Sequence, residues 1–443
     1  MYNHLCFISP PFYSHFNPLL YFAKGFVNYG CKVTFACSIE FKDSIFNSGM
    51  DFYELDISNN KNIGTAEATI QPIEEKRRLE AFFASTKLGP AETLMTQSKH
   101  RKADMLYNPE LLMDAIQRID SEMEIDVFVA DVLSYGVTLA LYASDKPFIT
   151  FCPPHPQTIP DENRVYGIPK NWPSSIKVNA EKLELIEKTL TETQTMFTDV
   201  FNQILSKYKT GHVKVSNAFR LVSDIAVVYN YLDFGRNQEE ISDIPSRIYM
   251  GHSFEEKPLS PKWLERVNHP KMKILITLGT FLSAREDVMK KLIIGCKKYH
   301  PDAVLYVSAG KHVETLRPYL SSEDSIEEFL PQIGLMPYMD LVIHHGGNNT
   351  FTEALYHSIP MIILPFSSDQ FNIAFDAENN GLAEILDPNN FQEEALIEAI
   401  ARTQSRSKDQ LNHWSNLSKK RGVDYAVRIL LGMSSEEHPP TIV

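Results

Sequence analysis

The sequence lacks the features that define several large classes of protein. Its five cysteines include no C-x-x-C pair, so it predicts neither a disulfide framework nor a cysteine-based zinc site. Lysine and arginine number 43 against 56 aspartates and glutamates, a net charge of -13, which argues against non-specific binding to nucleic acid or anionic membranes. No apolar run approaches the roughly 20 residues that cross a bilayer, and the N-terminal stretch has no basic signal-peptide region. We expect a cytoplasmic protein without a transmembrane segment.

Several motifs for nucleotides and metals are absent as well. Neither G-x-G-x-x-G nor G-x-x-x-x-G-K-[ST] occurs, which argues against dinucleotide oxidoreductases and P-loop enzymes. No D-x-D occurs that could hold a divalent metal against a diphosphate. The adjacent His344 and His345 do not supply a metal site, because neighbouring residues on a strand project to opposite faces. We expect no metal and no other cofactor.

Short apolar runs alternate with amphipathic stretches along most of the chain. This alternation predicts an α/β protein with parallel sheets covered by helices, and 443 residues suggest about two to three domains. A polar stretch with several prolines predicts a linker at 253–271, between a domain at 1–252 and a domain at 272–425. Nine runs have the character of buried strands: HLCFIS, CKVTFAC, DVFVAD, PFITFC, DIAVVYN, KILITLG, AVLYVSAG, MDLVIHH and PMIILPF.

Two long helical stretches, at about 67–120 and 153–218, interrupt this alternation. Insertions of this kind in a doubly wound domain are well placed to wall a pocket at the strand ends. Methionine and phenylalanine would make such a wall apolar and adaptable. The residues that suggest an apolar wall are Phe82, Phe83, Met95, Met105 and Met113.

The stretch VIHHGGNNTFTEALYHS has the pattern of a strand, a glycine turn and the start of a helix. Gly346 and Gly347 allow a tight turn and a close approach of backbone to ligand. The free N–H groups and the dipole of a helix N-terminus favour phosphate. A plain asparagine-capped turn is the alternative for this segment taken alone.

Two further polar residues follow predicted strands in the first half of the chain. His15 comes after the first strand and before a helix expected to begin near Asn17 and Pro18. Asp131 ends the strand DVFVAD, ahead of a helix expected from Ser134. A surface histidine and a helix-capping aspartate are the ordinary alternatives. Carboxyl ends of parallel strands line the binding crevice of such folds, which favours a shared site.

The order of polar residues in the second half resembles the donor-binding signature of the family 1, UDP-sugar-dependent glycosyltransferases, of the bacterial macrolide or natural-product glucosyltransferase type. The resemblance extends to the upstream FLPQ and, more loosely, over the whole chain. It implies the GT-B fold, in which two Rossmann-like domains face each other across a cleft. The domain at 1–252 would bind the acceptor, the domain at 272–425 the nucleotide sugar, and the last segment, 426–443, would cross back to the first. The residues that carry the resemblance are His345, Gly347, Asn349, Thr350, Glu353, Pro360, Pro365, Asp369, Gln370 and Asn372.

The resemblance also implies which residues contact the phosphates and the ribose. His345 and the pair Asn349 and Thr350 would hold the diphosphate, beside Gly347. Glu353 would accept hydrogen bonds from the ribose hydroxyls.

Four more residues complete the implied donor site. Gln332 would contact the nucleoside, and Phe329 stands where plant members carry a tryptophan that stacks on uracil. Asp369 and Gln370 would contact the sugar hydroxyls. Thr280, in the turn after KILITLG, would lie near the donor phosphates.

The resemblance gives His15 the role of general base, since FYSHFNP matches the family's G-H-x-N-P segment with Ser14 in place of glycine. Asp131 would orient His15 and stabilise its protonated form. The implied reaction is inverting transfer of a hexose, with glucose the first choice, from a UDP-sugar to a hydroxyl of a small hydrophobic acceptor. Alternatives are a nucleotide-sugar epimerase or lipid-linked cell-wall transferase on the same fold, and a non-catalytic homologue that activates a partner. The sequence predicts no oligomeric state.

Overall fold

The computed structural model describes residues 2–104, 106–209, 211, 213–234 and 246–433. Met105 and positions 434–443 of the predicted last segment therefore lie outside the described residues. The strands of the described chain are β1 His4–Ile8, β2 Lys32–Cys37, β3 Asp51–Glu54, β4 Val127–Asp131, β5 Phe148–Cys152, β6 Val227–Tyr229, β7 Arg247–Tyr249, β8 Lys273–Thr277, β9 Val304–Ser308, β10 Ser325–Glu327, β11 Leu341–His344, β12 Met361–Ile363 and β13 Ala383–Ile385.

These strands form two sheets in which all neighbouring strands are parallel. The first sheet has the order β3-β2-β1-β4-β5-β6-β7 and the second the order β10-β9-β8-β11-β12-β13. The predicted fold class is confirmed: the chain has two Rossmann-like parallel sheets. In both sheets the strand order reverses beside the first strand, between β1 and β4 and between β8 and β11. Such reversal points open the crevice in which ligands bind.

Helices cover both sheets and fill most of the predicted insertion at 67–120. The helical prediction for 153–218 is correct only for Ala180–Tyr208, because 153–179 consists of loops and one short 3-10 turn. The described helices are α1 Tyr13–Asn28, α2 Lys42–Phe46, α3 Ile73–Thr86, α4 Pro90–Asp104, α5 Pro109–Met123, α6 Tyr135–Ala143, α7 Ala180–Tyr208, α8 Pro261–Val267, α9 Gly279–Leu282, α10 Glu286–Tyr299, α11 Val313–Leu316, α12 Gln332–Leu335, α13 Asn348–Tyr356, α14 Gln370–Asn379, α15 Glu393–Ser405, α16 Asp409–Lys419 and α17 Val423–Leu431.

Helix α1 begins at Tyr13, so the prediction of a start near Asn17 and Pro18 is wrong. The earlier start is fixed by tertiary contact, because the Tyr13 N–H donates to the Asn62 carbonyl at 2.9 Å. Pro18 consequently lies inside the helix, where its missing N–H leaves the carbonyl four residues earlier without its helical partner. That carbonyl belongs to Ser14.

The last described helix, α17, packs against α1 of the first half. Gly25 permits the close approach, since a Cβ at this position would lie 2.3 Å from Cγ1 of Val423. The stretch 253–271 runs between β7 and β8 and contains α8. The domain limits at 252, 272 and 425 stay a prediction.

Candidate active site

A cavity of about 870 Å³ opens between the carboxyl ends of the two sheets. Eleven of the twelve predicted site residues line it, and the twelfth, Asp131, lies directly behind His15. The reversal points explain the convergence. His15 follows β1 and Asp131 ends β4, whereas Thr280 follows β8 and His345 follows β11.

His15 and Asp131 form a hydrogen-bonded pair at the bottom of the cavity. His15 Nδ1 lies 2.8 Å from Asp131 Oδ2, and the Asp131 side chain is fully buried. The other carboxylate oxygen accepts the Leu133 N–H at 2.9 Å. Asp131 therefore does not cap α6, whose N-cap residue is Ser134. With Nδ1–H donated to Asp131, Nε2 of His15 is left as the basic atom.

Opposing effects act on the pKa of His15. Burial lowers it, but the charge and hydrogen bond of Asp131, together with the charge of Asp369, outweigh burial and raise the pKa above its ordinary value. Burial also raises the pKa of Asp369, whose Oδ2 accepts the backbone N–H of His155 at 3.1 Å. Asp369, a residue of the second half, thus stabilises the protonated form of His15 in the first half.

The turn before α13 is shaped around the ring of His345. A Cβ at Gly347 would lie 2.3 Å from the ring's Nε2, and one at Gly279 would lie 2.5 Å from its Cε1. Both glycines leave the space in which the ring sits. Among the described residues no side chain caps the N-terminus of α13, so its N–H groups remain available to an anion.

His345 is held neutral. Burial lowers its pKa to about 4, against a smaller effect of the Thr277 carbonyl. The ring can therefore offer a diphosphate an N–H but not a positive charge. The positive end of the α13 dipole must supply the rest of the favourable potential.

Glu353, Gln332 and Thr350 form one hydrogen-bonded group on the nucleoside side. Gln332 Nε2 donates to Glu353 Oε2 at 2.6 Å and to Thr350 Oγ1 at 3.2 Å. Burial raises the pKa of Glu353 to about 7, with the Gln332 bond acting in the opposite direction. The carboxylate is therefore oriented by its neighbour and only partly ionised near neutrality.

The remaining candidates for donor binding differ in which of their groups are still available to a ligand. Gln370 Oε1 accepts the N–H groups of Phe366 and Ser367 at 2.9 and 3.2 Å, which leaves its NH₂ as the group for a sugar hydroxyl. Thr280 bonds to the first half, through Asn62 Nδ2 at 3.1 Å. Phe329 is 51% exposed, so its ring is accessible to a stacked base.

The predicted apolar wall is only partly correct. Phe82 lines the cavity. Met113 is buried in the first-half core and Met95 packs against a separate apolar cluster, because the helices of the insertion turn those faces toward their neighbours. Polar residues of α3 and α4, including Arg78 and Arg101, line the cavity as well.

Several polar residues that join the two halves were not predicted from the sequence. Asn348 Nδ2 donates to the carbonyls of Pro153 and Asn230 at 2.7 and 2.6 Å. His155 Nε2 lies 2.9 Å from Asp376 Oδ2 in a buried pair. The one available signal was position, because Asn230 ends the predicted strand DIAVVYN and His155 comes three residues after the predicted strand PFITFC.

Two absences hold for the part of the chain that the structure describes. It contains no group of three or more histidine, cysteine, aspartate or glutamate side chains placed to hold a metal ion. It also contains no helix with the length and hydropathy needed to span a membrane.

Comparison with known proteins agrees with this geometry. Residues 274–429 match the family model of the glycosyltransferase family 28 C-terminal domain. The zeaxanthin glucosyltransferase of Pantoea ananas is 22% identical over 389 residues, 86% of this chain and 84% of the relative. The NDP-glycosyltransferase YjiC of Bacillus subtilis is 21% identical over 420 residues, 94% of this chain and 92% of the relative. A match with YojK of Bacillus subtilis, an uncharacterized UDP-glucosyltransferase, is 23% identical but spans 42% of this chain and 45% of the relative.

Solved structures agree on the fold. The glycosyltransferase of kitacinnamycin superposes with a TM-score of 0.68 at 15% identity, over 97% of this chain and 98% of its own. The calicheamicin glycosyltransferase CalG4 gives 0.65 at 13% identity, over 98% and 99%. The resemblance noted in the sequence is confirmed: the chain is a glycosyltransferase of the GT-B fold, of the kind that its UDP-glucosyltransferase relatives represent. Such an enzyme takes a nucleotide-sugar donor and an acceptor.

The raised pKa of Glu353 predicts that nucleoside binding depends on pH. A carboxylate accepts hydrogen bonds from ribose hydroxyls better than a carboxylic acid does. With a pKa of about 7, lowering the pH from 8 to 6 should weaken uridine binding by about tenfold, because about nine-tenths of Glu353 becomes protonated. Uridine carries no phosphate that titrates in this range, so the change can be measured directly by NMR titration. Glu353→Gln should bind more weakly and lose the pH dependence. An equally steep dependence in this variant would exclude Glu353 as its source.

Proposed function

We propose that the protein transfers a hexose, preferably glucose, from a UDP-sugar to a hydroxyl of a small acceptor with inversion at the anomeric carbon. The observation that carries the proposal is the His15–Asp131 pair, which opens onto the same cavity as the N-terminus of α13. The chemistry needs a base on one side of the anomeric carbon and a site for the leaving diphosphate on the other.

In the proposed mechanism the acceptor hydroxyl gives its proton to His15 Nε2 while its oxygen attacks the anomeric carbon. Asp131 stabilises the imidazolium that forms. The bond from the sugar to the diphosphate breaks at the same time, and the leaving oxygen moves toward the N–H groups of α13 and His345. Asp369 and the Gln370 NH₂ are the candidates for orienting the sugar.

The alternatives considered for the sequence are less well supported. A non-catalytic activator has no need of a base held by a buried carboxylate at 2.8 Å. An epimerase has no evident use for a cavity that extends beyond this base to α3 and α4. A cytoplasmic location remains a prediction, based on five cysteines that are all unpaired.

The role of His15 predicts a loss of chemistry without a loss of donor binding. His15→Ala should lower kcat for a phenol or alcohol acceptor by about two to four powers of ten, while UDP binding measured by calorimetry stays within about twofold. A matched thiol acceptor should be much less affected, because a thiolate needs no base. In the wild type, kcat/KM should fall as the pH drops through the raised pKa of His15. Normal turnover of an alcohol by His15→Ala would remove this residue from the mechanism.

We also predict that transfer needs no divalent metal. The neutral His345 and the uncapped α13 offer N–H donors to the diphosphate, and this kind of anion site works without a cation. Initial rates should therefore be equal in excess EDTA and in magnesium. Activity that disappears with EDTA and returns with magnesium or manganese would show that the N–H donors are insufficient.

The proposed contact of Glu353 with both ribose hydroxyls predicts the choice of nucleotide. A deoxyribose donor lacks one of the two hydroxyls, so the buried Glu353 carboxylate would lose one hydrogen bond. We therefore expect kcat/KM to be about tenfold higher for UDP-glucose than for thymidine-diphosphate glucose. Gln370 predicts glucose over galactose, since a site built to bond hydroxyls discriminates by their placement. Competition among UDP-glucose, UDP-galactose, UDP-N-acetylglucosamine and thymidine-diphosphate glucose tests both, with products separated by mass and NMR. The solved rhamnosyltransferase SpnG is complexed with thymidine diphosphate, so preference for the thymidine donor is a real competing outcome. It would contradict the role of Glu353.

A further inference from the structure

The cavity also includes the N-terminus of α6, which no side chain of the described residues caps. Ser134 is the N-cap residue of α6, a helix of nine residues, and makes no capping bond. Ser134 is 6% exposed and lines the cavity. Within the described chain its Oγ is buried without a hydrogen-bond partner. A hydroxyl that lines a cavity without a protein partner is available to bond to a ligand there.

Helix α4 contributes polar side chains to the same cavity. Gln97, His100 and Arg101 all line the cavity, and their spacing of three and four residues puts them on one side of the helix. Gln97 Oε1 is a second buried polar atom that has no partner among the described residues. This side of α4, together with the adjoining α3, therefore forms a polar wall of the cavity.

The charges on this wall do not cancel. Arg78 of α3 is neutralised by Glu75, 2.8 Å away, and Asp131 is bonded to His15. Arg101 instead stacks on the ring of Tyr166, with 4.7 Å from Cζ to the ring centroid. No ion pair of Arg101 with a carboxylate occurs in the described ranges, so its charge is left for the cavity.

Arg101 and the start of α6 act on the same region. Tyr166, on which Arg101 stacks, has its ring centroid 6.2 Å from that of Tyr135, the residue next to Ser134. A guanidinium, a free serine hydroxyl and the N–H groups of a helix N-terminus are together the donors that a carboxylate prefers.

We propose that this end of the cavity binds a carboxylate carried by the acceptor, so that the preferred acceptors are hydroxylated carboxylic acids rather than neutral phenols or alcohols. The proposal rests on the proposed transfer to a hydroxyl at His15. Ser134 lies three residues after Asp131 in the same strand-to-helix turn, so a compact molecule can place its hydroxyl at His15 and its carboxylate at α6. Arg101 and Ser134 would then determine which acceptors are used, without contacting the reacting atoms.

The test compares an acid with its own neutral ester. Binding of 4-hydroxycinnamic acid and of its methyl ester to the full chain saturated with UDP is measured by calorimetry, and transfer to each is measured separately. The acid should bind about tenfold more tightly than the ester, the effect expected of a charge-assisted contact. Arg101→Gln should lose most of this preference, and Ser134→Ala, which removes no existing hydrogen bond, should reduce it.

The matched control is Lys99→Gln, which makes the same change of charge on the exposed side of α4 and should keep the preference. Thermal unfolding of each variant shows that the fold is retained. Equal binding of acid and ester by the wild type, or an unchanged preference in Arg101→Gln, would overturn the carboxylate site. Preferential binding of the acid without any transfer would support this site and contradict the proposed transfer instead. Transfer to both compounds without any preference in binding would support the proposed transfer and contradict the carboxylate site.

Discussion

The side-chain amide of Asn348 fixes the position of the donor helix relative to the first sheet. Its two N–H groups bond to the carbonyls of Pro153 and Asn230, at 2.7 and 2.6 Å, and these carbonyls follow β5 and β6. A buried carbonyl that loses its partner costs about 1–3 kcal/mol, so the two bonds strongly favour one placement of α13. The phosphate end of the proposed donor site is thereby held at a set distance from His15.

Pro18 makes a second connection between the halves possible. Because proline has no N–H, the Ser14 carbonyl is released from the ladder of α1, and Asn349 Nδ2 donates to it at 3.1 Å. Asn349 Oδ1 accepts from Asn230 Nδ2 at 3.3 Å. The family resemblance implies that Asn349 binds the diphosphate. In this structure the side-chain amide of Asn349 instead joins α13 to α1, the helix that carries His15. A role in both contacts would link occupation of the donor site to the position of the segment that carries His15.

The sequence predicted the centre of each sheet and missed the edges. All nine apolar runs correspond to strands, and the four strands without such a run are β3, β7, β10 and β13, the outermost strands of the two sheets. Edge strands are short and bury less apolar surface, so they give a weak pattern. The residues that line the cavity were predictable for two reasons. The carboxyl ends of parallel strands meet at one crevice, and a long sequence motif follows one of these strands, β11. The hydrogen bonds of Asn348 could not be predicted. They join Asn348 to Pro153 and Asn230, which lie 195 and 118 positions away in the sequence, and no local pattern reports contacts over such separations.

The charge state of the cavity follows from burial and limits how the enzyme can handle a diphosphate. His345 stays neutral and Glu353 is only partly ionised, so the His345 ring and the start of α13 offer a diphosphate N–H groups and a helix dipole without a full positive charge. Fixed dipoles need no reorganisation as charge develops on the leaving oxygen. A full cation would attract the diphosphate of substrate and product alike, and uniform attraction of that kind does not lower the barrier. Burial lowers the pKa of His15, but Asp131 and Asp369 together raise it above its ordinary value. Positive charge is therefore most stable on the residue that receives the acceptor's proton in the proposed mechanism.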